Sequence, residues 1–331
     1  MTIRNSILIL SLLFPLTLLF GQEKCGTVEY AQSKLGLQKN PEIITEFENW
    51  LKNKIDQKKN LRTTIANGER QQSIVTIPVV VHIIHNGEAL GTGVNIPDEQ
   101  IYSQIEVLNE DFRRTNVDKI NTPSVFEPVA ADIEVEFVLA KRDPEGIAST
   151  GIVRVQGSKS SWTISNDEVY LKSQSYWPAE DYVNIWVANI TDYLGHAQFP
   201  VSDLAGLEDA SNNDRTDGLA VNYQSFGSKD KYPAADLKSR YALGRTASHE
   251  MGHFLGLTHI WGNANGCSID DFCADTPTTD GPNSGHTSCI FPGPNGCGSG
   301  ANDLPDMFQN YMDYTNDDCM NLFTLDQKAR M

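Results

Sequence analysis

The sequence predicts a mixed α/β (α+β) domain, a twisted mixed sheet with helices, leading into a loop-rich lower region stapled by cysteines. Three observations carry that prediction. Short runs dominated by β-branched residues share the first two-thirds of the chain with stretches of helical period. The last long helical stretch, residues 240–257, gives way to a tract rich in Gly, Pro, Asn and Asp that runs to about Asp306. Five of the six cysteines, Cys267, Cys273, Cys289, Cys297 and Cys319, fall in that final part, which in an oxidising compartment reads as disulfides.

Taken in order, residues 1–21 form a secretory signal. Arg4 supplies a positive start, residues 7–20 an apolar run, and Gly21 a small residue before a cut at Gln22. The run is too short for a membrane span, and Cys25 lies too far past Gly21 for a lipoprotein-type cut. Residues 22–70 are rich in Lys, Gln, Asn and Glu. Within them Pro41 opens a helix carrying Ile43, Phe47, Trp50, Leu51 and Ile55 at helical spacing. The polar stretch 57–72 reads as an exposed, cleavable connector.

The compact part begins near residue 71. Residues 73–84 (SIVTIPVVVHII) predict a buried strand closed by Gly87. Residues 97–112 predict an amphipathic helix with Ile101, Ile105, Leu108 and Phe112 on one face. Residues 133–140 and 182–190 predict two more strands. Residues 240–257 predict a helix ended by Gly256. A last helix is expected to begin near Thr324, so the natural chain is expected to continue past Met331. No internal repeat is visible.

With 26 Lys and Arg against 43 Asp and Glu, the net charge is −17. Such a surface repels polyanions, which argues against nucleic acid as a partner. It attracts basic substrates, binds cations, or simply keeps a secreted protein soluble.

The chemistry concentrates in residues 249–259, HEMGHFLGLTH. On a helix, positions i and i+4 share a face, so His249 and His253 present two imidazoles to one ion. Imidazole suits zinc. Glu250 sits beside the metal without being needed as a ligand, the position of a general base acting on water. Gly256 permits the positive φ that turns the chain and returns His259 as a third ligand. Three protein ligands leave one position open, as catalytic zinc sites do.

This HExxHxxGxxH pattern resembles the metzincin clan of metallopeptidases. The segment Asn310-Tyr311-Met312-Asp313-Tyr314, followed by Asp317, Asp318, Cys319 and Met320, is similar to the pappalysin family within it. The resemblance runs from about Ser73 to the end. It implies a metzincin-like catalytic domain at 71–331, with zinc in a cleft between an upper mixed sheet and a lower loop-rich part. It further implies that Met312 forms the methionine turn beneath the metal and that Tyr314 stabilises an oxyanion. Asp317 would then lie in the pocket for the residue after the scissile bond and pair with Arg, less so Lys. The pairs Cys267–Cys297 and Cys289–Cys319 follow from the family pattern; spacing alone leaves other pairings open, and Cys273 is unaccounted for. The acidic loop around Asp270, Asp271, Cys273, Asp275 and Thr276 reads from spacing alone as a solvated turn. The resemblance places calcium there, through the side chains of Asp271 and Thr276 and the carbonyls of Asp270 and Cys273.

Cys25-Gly26-Thr27 resembles a family switch in which a pro-segment thiolate takes the open zinc position. A disulfide to the odd downstream cysteine, or a free thiol, is the other reading. Latency would end by cleavage in the connector, with Arg62 and Arg70 as candidate self-cleavage points. His82, His85, His196 and His286 lack ligand spacing and read as structural or surface residues. The expectation is a secreted zinc metalloendopeptidase acting on proteins and peptides, made as a zymogen. Its rivals are a secreted binding or adhesion module that keeps zinc for structure only, and a narrow processing enzyme with one partner. Substrate identity and oligomeric state are not encoded in these patterns.

Overall fold

The computed structural model describes residues 23–28, 41–64, 74–199, 215–262, 264–284, 286, 288–298 and 303–331. The expected signal segment and Arg70 lie outside them. Strands are β1 (Glu23–Cys25), β2 (Val75–His85), β3 (Val135–Leu139), β4 (Ile152–Gln156), β5 (Val183–Ala188), β6 (Tyr193–Ala197) and β7 (Gly218–Asn222). Helices are α1 (Pro41–Thr64), α2 (Asp98–Phe112), α3 (Ile164–Lys172), α4 (Arg245–Phe254) and α5 (Leu325–Arg330).

One seven-stranded sheet has the order β1-β6-β7-β5-β2-β3. The long β2 is its spine. Its first half pairs with β3, its second half with β4 along the same edge, and β5 takes the other edge. All these pairings are parallel, as is β5 with β7. The one antiparallel pairing joins β6 to β7 at Gly195↔Val221, His196↔Ala220 and Ala197↔Leu219. The outer side of β6 is covered by β1, which runs parallel to it at Glu23↔Tyr193 and Cys25↔Gly195.

The alternation of β2 splits the core. Val79, Val81 and Ile83 face one way, against Ile101, Leu108 and Phe112 of α2 and Ala247 and Met251 of α4. Ile84, with Trp186 and Ala188 of β5, faces Trp162, Ile164 and Leu171 at α3. The active-site helix thus lies on one face of the sheet, next to β6.

The expected strands and helices are present with shifted ends. The strand expected over 133–140 begins only at Val135, because Glu134 adopts φ +66. The helix expected over 240–257 is shorter. Gly244 caps it with a left-handed backbone, and a 3₁₀ turn at Ser239–Tyr241 precedes it. The connector expected over 57–72 is helical as far as Thr64, so Arg62 stands on α1. Lys and Gln are good helix formers, and apolar spacing is not needed for an exposed turn. Lys52 pairs with Asp56 one turn on, at 2.8 Å. No expectation covered strands β1, β4, β6 and β7 or helix α3. Beyond α4 the chain is loop, stapled by Cys267–Cys297 and Cys289–Cys319. Cys25 and Cys273 are buried and unpaired, so Cys25 is not in a disulfide.

Helix α1 reaches α5 through an ion pair. Glu48 meets the Arg330 guanidinium with both carboxylate oxygens, at 2.7 and 3.0 Å. Arg330 also donates to the Gly256 carbonyl at 3.2 Å.

Candidate metal centre and active site

Helix α4 buries His249, Glu250 and His253 completely, and the turn at Gly256 (φ +96) brings His259 back beside them. His253 Nε2 lies 3.2 Å from His249 Nε2 and 3.1 Å from His259 Nε2. The other face of two rings is fixed. His249 Nδ1 faces the Tyr311 carbonyl and His253 Nδ1 the Leu257 carbonyl, each at 2.7 Å. A carbonyl only accepts, so both Nδ1 atoms carry the proton and both Nε2 atoms present bare lone pairs. Bare lone pairs converging this closely repel unless a cation lies between them. Tetrahedral zinc with Zn–N of about 2.0–2.1 Å would hold its nitrogens roughly 3.3 Å apart, close to the spacing found. Burial pushes His253 down to about 4 and the other two well below the usual range, which keeps the rings neutral and ready to ligate.

The Cys25 thiol is the fourth member of this group. Its Sγ and the three histidine nitrogens lie within 4.8 Å of one another. Burial, then the neighbouring Glu250 carboxylate, push the thiol well above its usual range, so ionising it requires a cation beside it. Glu250 Oε2 lies 3.4 Å from Cys25 Sγ and accepts from Thr27 Oγ1 at 3.0 Å. Thr27 Oγ1 in turn accepts from the Ala197 amide of β6 at 2.9 Å. Behind Glu250, Gly195 of β6 is pressed so close that a β-carbon there would stand 2.6 Å from the carboxylate.

Tyr314 stands over the histidines, its ring centroid 4.9 Å from that of His259, and its hydroxyl donates to the Cys25 carbonyl at 3.3 Å. Met312 is fully buried in the core beneath α4. Trp261 stacks on His259 at 4.4 Å. The Tyr311 hydroxyl donates to Asp111 Oδ1 at 3.0 Å, and Ser248 Oγ donates to Asp111 Oδ2 at 2.5 Å. Arg245 pairs with Asp111 as well as Asp118. One buried aspartate of α2 therefore ties α4 to the turn that holds His249.

Asp317 is buried behind the same cleft. Its Oδ2 accepts from the Leu243 and Arg245 amides at 3.0 and 3.2 Å, and its Oδ1 has no hydrogen-bond partner among the described residues. Burial raises its pKa and Lys24 opposes that most strongly. Lys24 is itself buried at 4% exposure, its Nζ donating to the carbonyls of Asp313 and Thr315 and to Met320 Sδ. Asp313 is pushed up to about 6 by burial.

In the acidic loop, Asp271 is buried. Its Oδ1 accepts from the Cys273 amide at 3.0 Å and lies 2.7 Å from Thr276 Oγ1. Its Oδ2 has no hydrogen-bond partner among the described residues, and burial holds its pKa well up. The Cys273 carbonyl lies 2.7 Å from Thr276 Oγ1, so it points into the same group. Asp275 does not join them: its oxygens accept from Thr324 Oγ1 and the Asp326 amide, capping α5. Asp270 Oδ1 accepts from the Phe272 amide. Of the remaining histidines, His82 is held between Ser175 and Asn184 at 2.8 and 2.9 Å, and His196 meets Glu168 at 3.1 Å.

Sequence reasoning did not single out Lys24, Gly195 or Asp111, and named Thr27 only as the end of the Cys25-Gly26-Thr27 motif. Lys24 had one signal, its adjacency to that motif.

The peptidase M43 family model, described as pregnancy-associated plasma protein-A, matches residues 164–331. An extracellular metalloprotease of Arthroderma otae is 27% identical over 263 residues, covering 78% of this chain and 76% of the relative. Mature mirolysin of Tannerella forsythia in complex with a cleaved peptide is 42% identical, with a TM-score of 0.68 over 78% of this chain and 90% of its own. A promirolysin variant of Tannerella forsythia covers 93% of this chain and 92% of its own at 38% identity and a TM-score of 0.74. The chain belongs to the pappalysin family of metallopeptidases, the M43 family.

Proposed function

We propose that the chain is the latent precursor of a secreted zinc endopeptidase that cuts proteins and peptides before basic residues. The observation that carries this reading is the convergence of three buried imidazole Nε2 atoms, 3.1 and 3.2 Å apart, two of them freed of their proton by an Nδ1–carbonyl contact, beside a buried glutamate. Extracellular relatives and the apolar start of the chain support secretion.

His249, His253 and His259 hold the zinc. The ion supplies Lewis acidity to water and to the peptide carbonyl. Glu250 Oε2, in place beside the ligands, takes the proton from water as it attacks and returns it to the leaving amine. Tyr314 donates its hydroxyl to the carbonyl oxygen as negative charge builds there. An extended substrate pairs with the edge of β6, the place β1 holds in the zymogen. Asp317 receives the side chain that follows the scissile bond; its spare Oδ1 suits Arg, whose fork carries more donors than Lys. Latency follows from Cys25 and Thr27, which together occupy the open metal position and Glu250. Calcium at Asp271, Thr276 and the Cys273 carbonyl stabilises the loop region, since a buried carboxylate with an unbonded oxygen calls for a cation.

Digestion of a peptide library by processed protein tests the reading, with Glu250→Ala and a zinc chelator as controls. Cuts that cluster before Arg, vanish with chelator and are missing from the variant are expected. Cuts without Arg preference remove the Asp317 assignment. A zinc-loaded, processed protein that cuts nothing removes the endopeptidase and leaves a binding module.

A further inference from the structure

We propose that Lys24 is a second latch of the zymogen, a side chain bound in the Asp317 pocket as a substrate's would be. This rests on the reading of that pocket as the site for a basic side chain. A buried lysine is unusual, because the ammonium normally stays in water while its stem packs. Here the head finds its partners inside the protein. All three of its protons are directed at acceptors: the Asp313 carbonyl at 3.1 Å, the Thr315 carbonyl at 3.0 Å and Met320 Sδ at 3.4 Å. The Tyr241 ring lies 5.9 Å from Nζ. These groups come from two separate segments of the catalytic part, and together with Asp317 they line one cation-binding recess. Burial pulls the amine down to about 8, and among the charges Asp317 opposes that most strongly.

The direction of the chain explains how the pocket is filled without presenting a cleavable bond. In a substrate, the residue in the pocket follows the carbonyl under attack. In β1 the order is reversed, since Lys24 precedes Cys25, whose carbonyl receives the Tyr314 hydroxyl. The parallel pairing of β1 with β6 fixes this order, Cys25 opposite Gly195. The latch is also underfilled. Lys24 forms no hydrogen bond to Asp317, and Asp317 Oδ1 has no such partner among the described residues. An arginine, longer and forked, reaches that oxygen and holds more tightly.

Two measurements on the full chain test this. The first is the time to self-activation of the zymogen with Lys24, Lys24→Ala, Lys24→Met and Lys24→Arg, Cys25 being intact throughout. Losing a buried charged contact should shorten it about 10-fold or more for Ala and Met, and Arg should lengthen it. The second is amide hydrogen exchange of residues 23–27 in a Glu250→Ala background, where self-cleavage is removed. Protection should fall with Ala and Met and rise with Arg, while the sheet core stays unchanged and reports intact folding. Activation times and exchange that do not depend on residue 24 would overturn the proposal, as would Arg behaving like Ala. Exchange that tracks residue 24 in a protein that cuts nothing would keep the latch and remove the peptidase reading.

Discussion

Glu250 Oε2 is shared by the Thr27 hydroxyl at 3.0 Å and the Cys25 thiol at 3.4 Å. On the proposed mechanism, the group that would activate water is therefore engaged while Cys25 and Thr27 stay in place. Glu250→Gln keeps the size and one acceptor but cannot take a proton. In processed enzyme, kcat should fall about 10²- to 10⁴-fold with KM little changed, as steady-state kinetics would read. A parallel fall in zinc content would instead make Glu250 a structural group. His82 behaves differently, being satisfied on both ring nitrogens by Ser175 and Asn184. Burial pushes it down to about 4 from an ordinary 6.5. The folded form refuses a proton that the unfolded chain accepts. The stability it contributes is thus complete above pH 6.5 and is lost as pH falls toward 4, up to about 3 kcal/mol. Denaturant unfolding at pH 7 and pH 5 should show this loss, and a His82→Gln variant should show less of it.

Among the elements, α1 has an anchor distant from the metal. Arg330 is nearly enclosed, and Glu48 is the one carboxylate in ion-pair contact with it among the described residues. Removing one partner of a buried pair strands the other charge, a cost of about 3 kcal/mol or more. Glu48→Ala should lower the melting temperature of the zymogen by several degrees and raise amide exchange along α1. An unchanged melting point would mean that water already compensates Arg330. Strand β6 is the element on which both states turn. It carries Gly195 beneath Glu250, lends the Ala197 amide to Thr27, and pairs with β1 along its outer edge.

At the scale of the molecule, residues 23–28 and helix α1 meet the rest of the protein at the three histidines, beside Asp317, along β6 and at Arg330. A cut in the connector severs the chain but none of these attachments. After limited cleavage the pro-segment should co-elute with the catalytic part in size-exclusion chromatography, and activity should lag behind cleavage. Immediate full activity on cleavage would mean that the attachments are weak once the chain is cut. What the sequence could reveal follows the same logic of locality. Strands β2, β3 and β5 and helix α2 are legible because their buried faces are apolar. Helix α3 is not, because its buried face carries Glu168 and Lys172, which satisfy each other at 2.8 Å. Strand β6 contains Gly195 and His196, and its pairing with β7 and β1 defines it, not its own composition. The three histidines and Glu250 are legible because one helix and one turn position them all. Lys24 and Thr27 act across more than two hundred residues of separation, which no local pattern records.

The bond between Cys289 and Cys319 closes the 3₁₀ turn Asp317–Cys319 onto the loop region. Disulfides form in oxidising compartments and are rare in the reducing cytosol where chains are made. Before oxidation, the turn that carries Asp317 is held by noncovalent contacts alone. On the proposed role of Asp317, the site that selects targets would thus be finished by a change of redox surroundings, a condition set by place and independent of any cut in the chain.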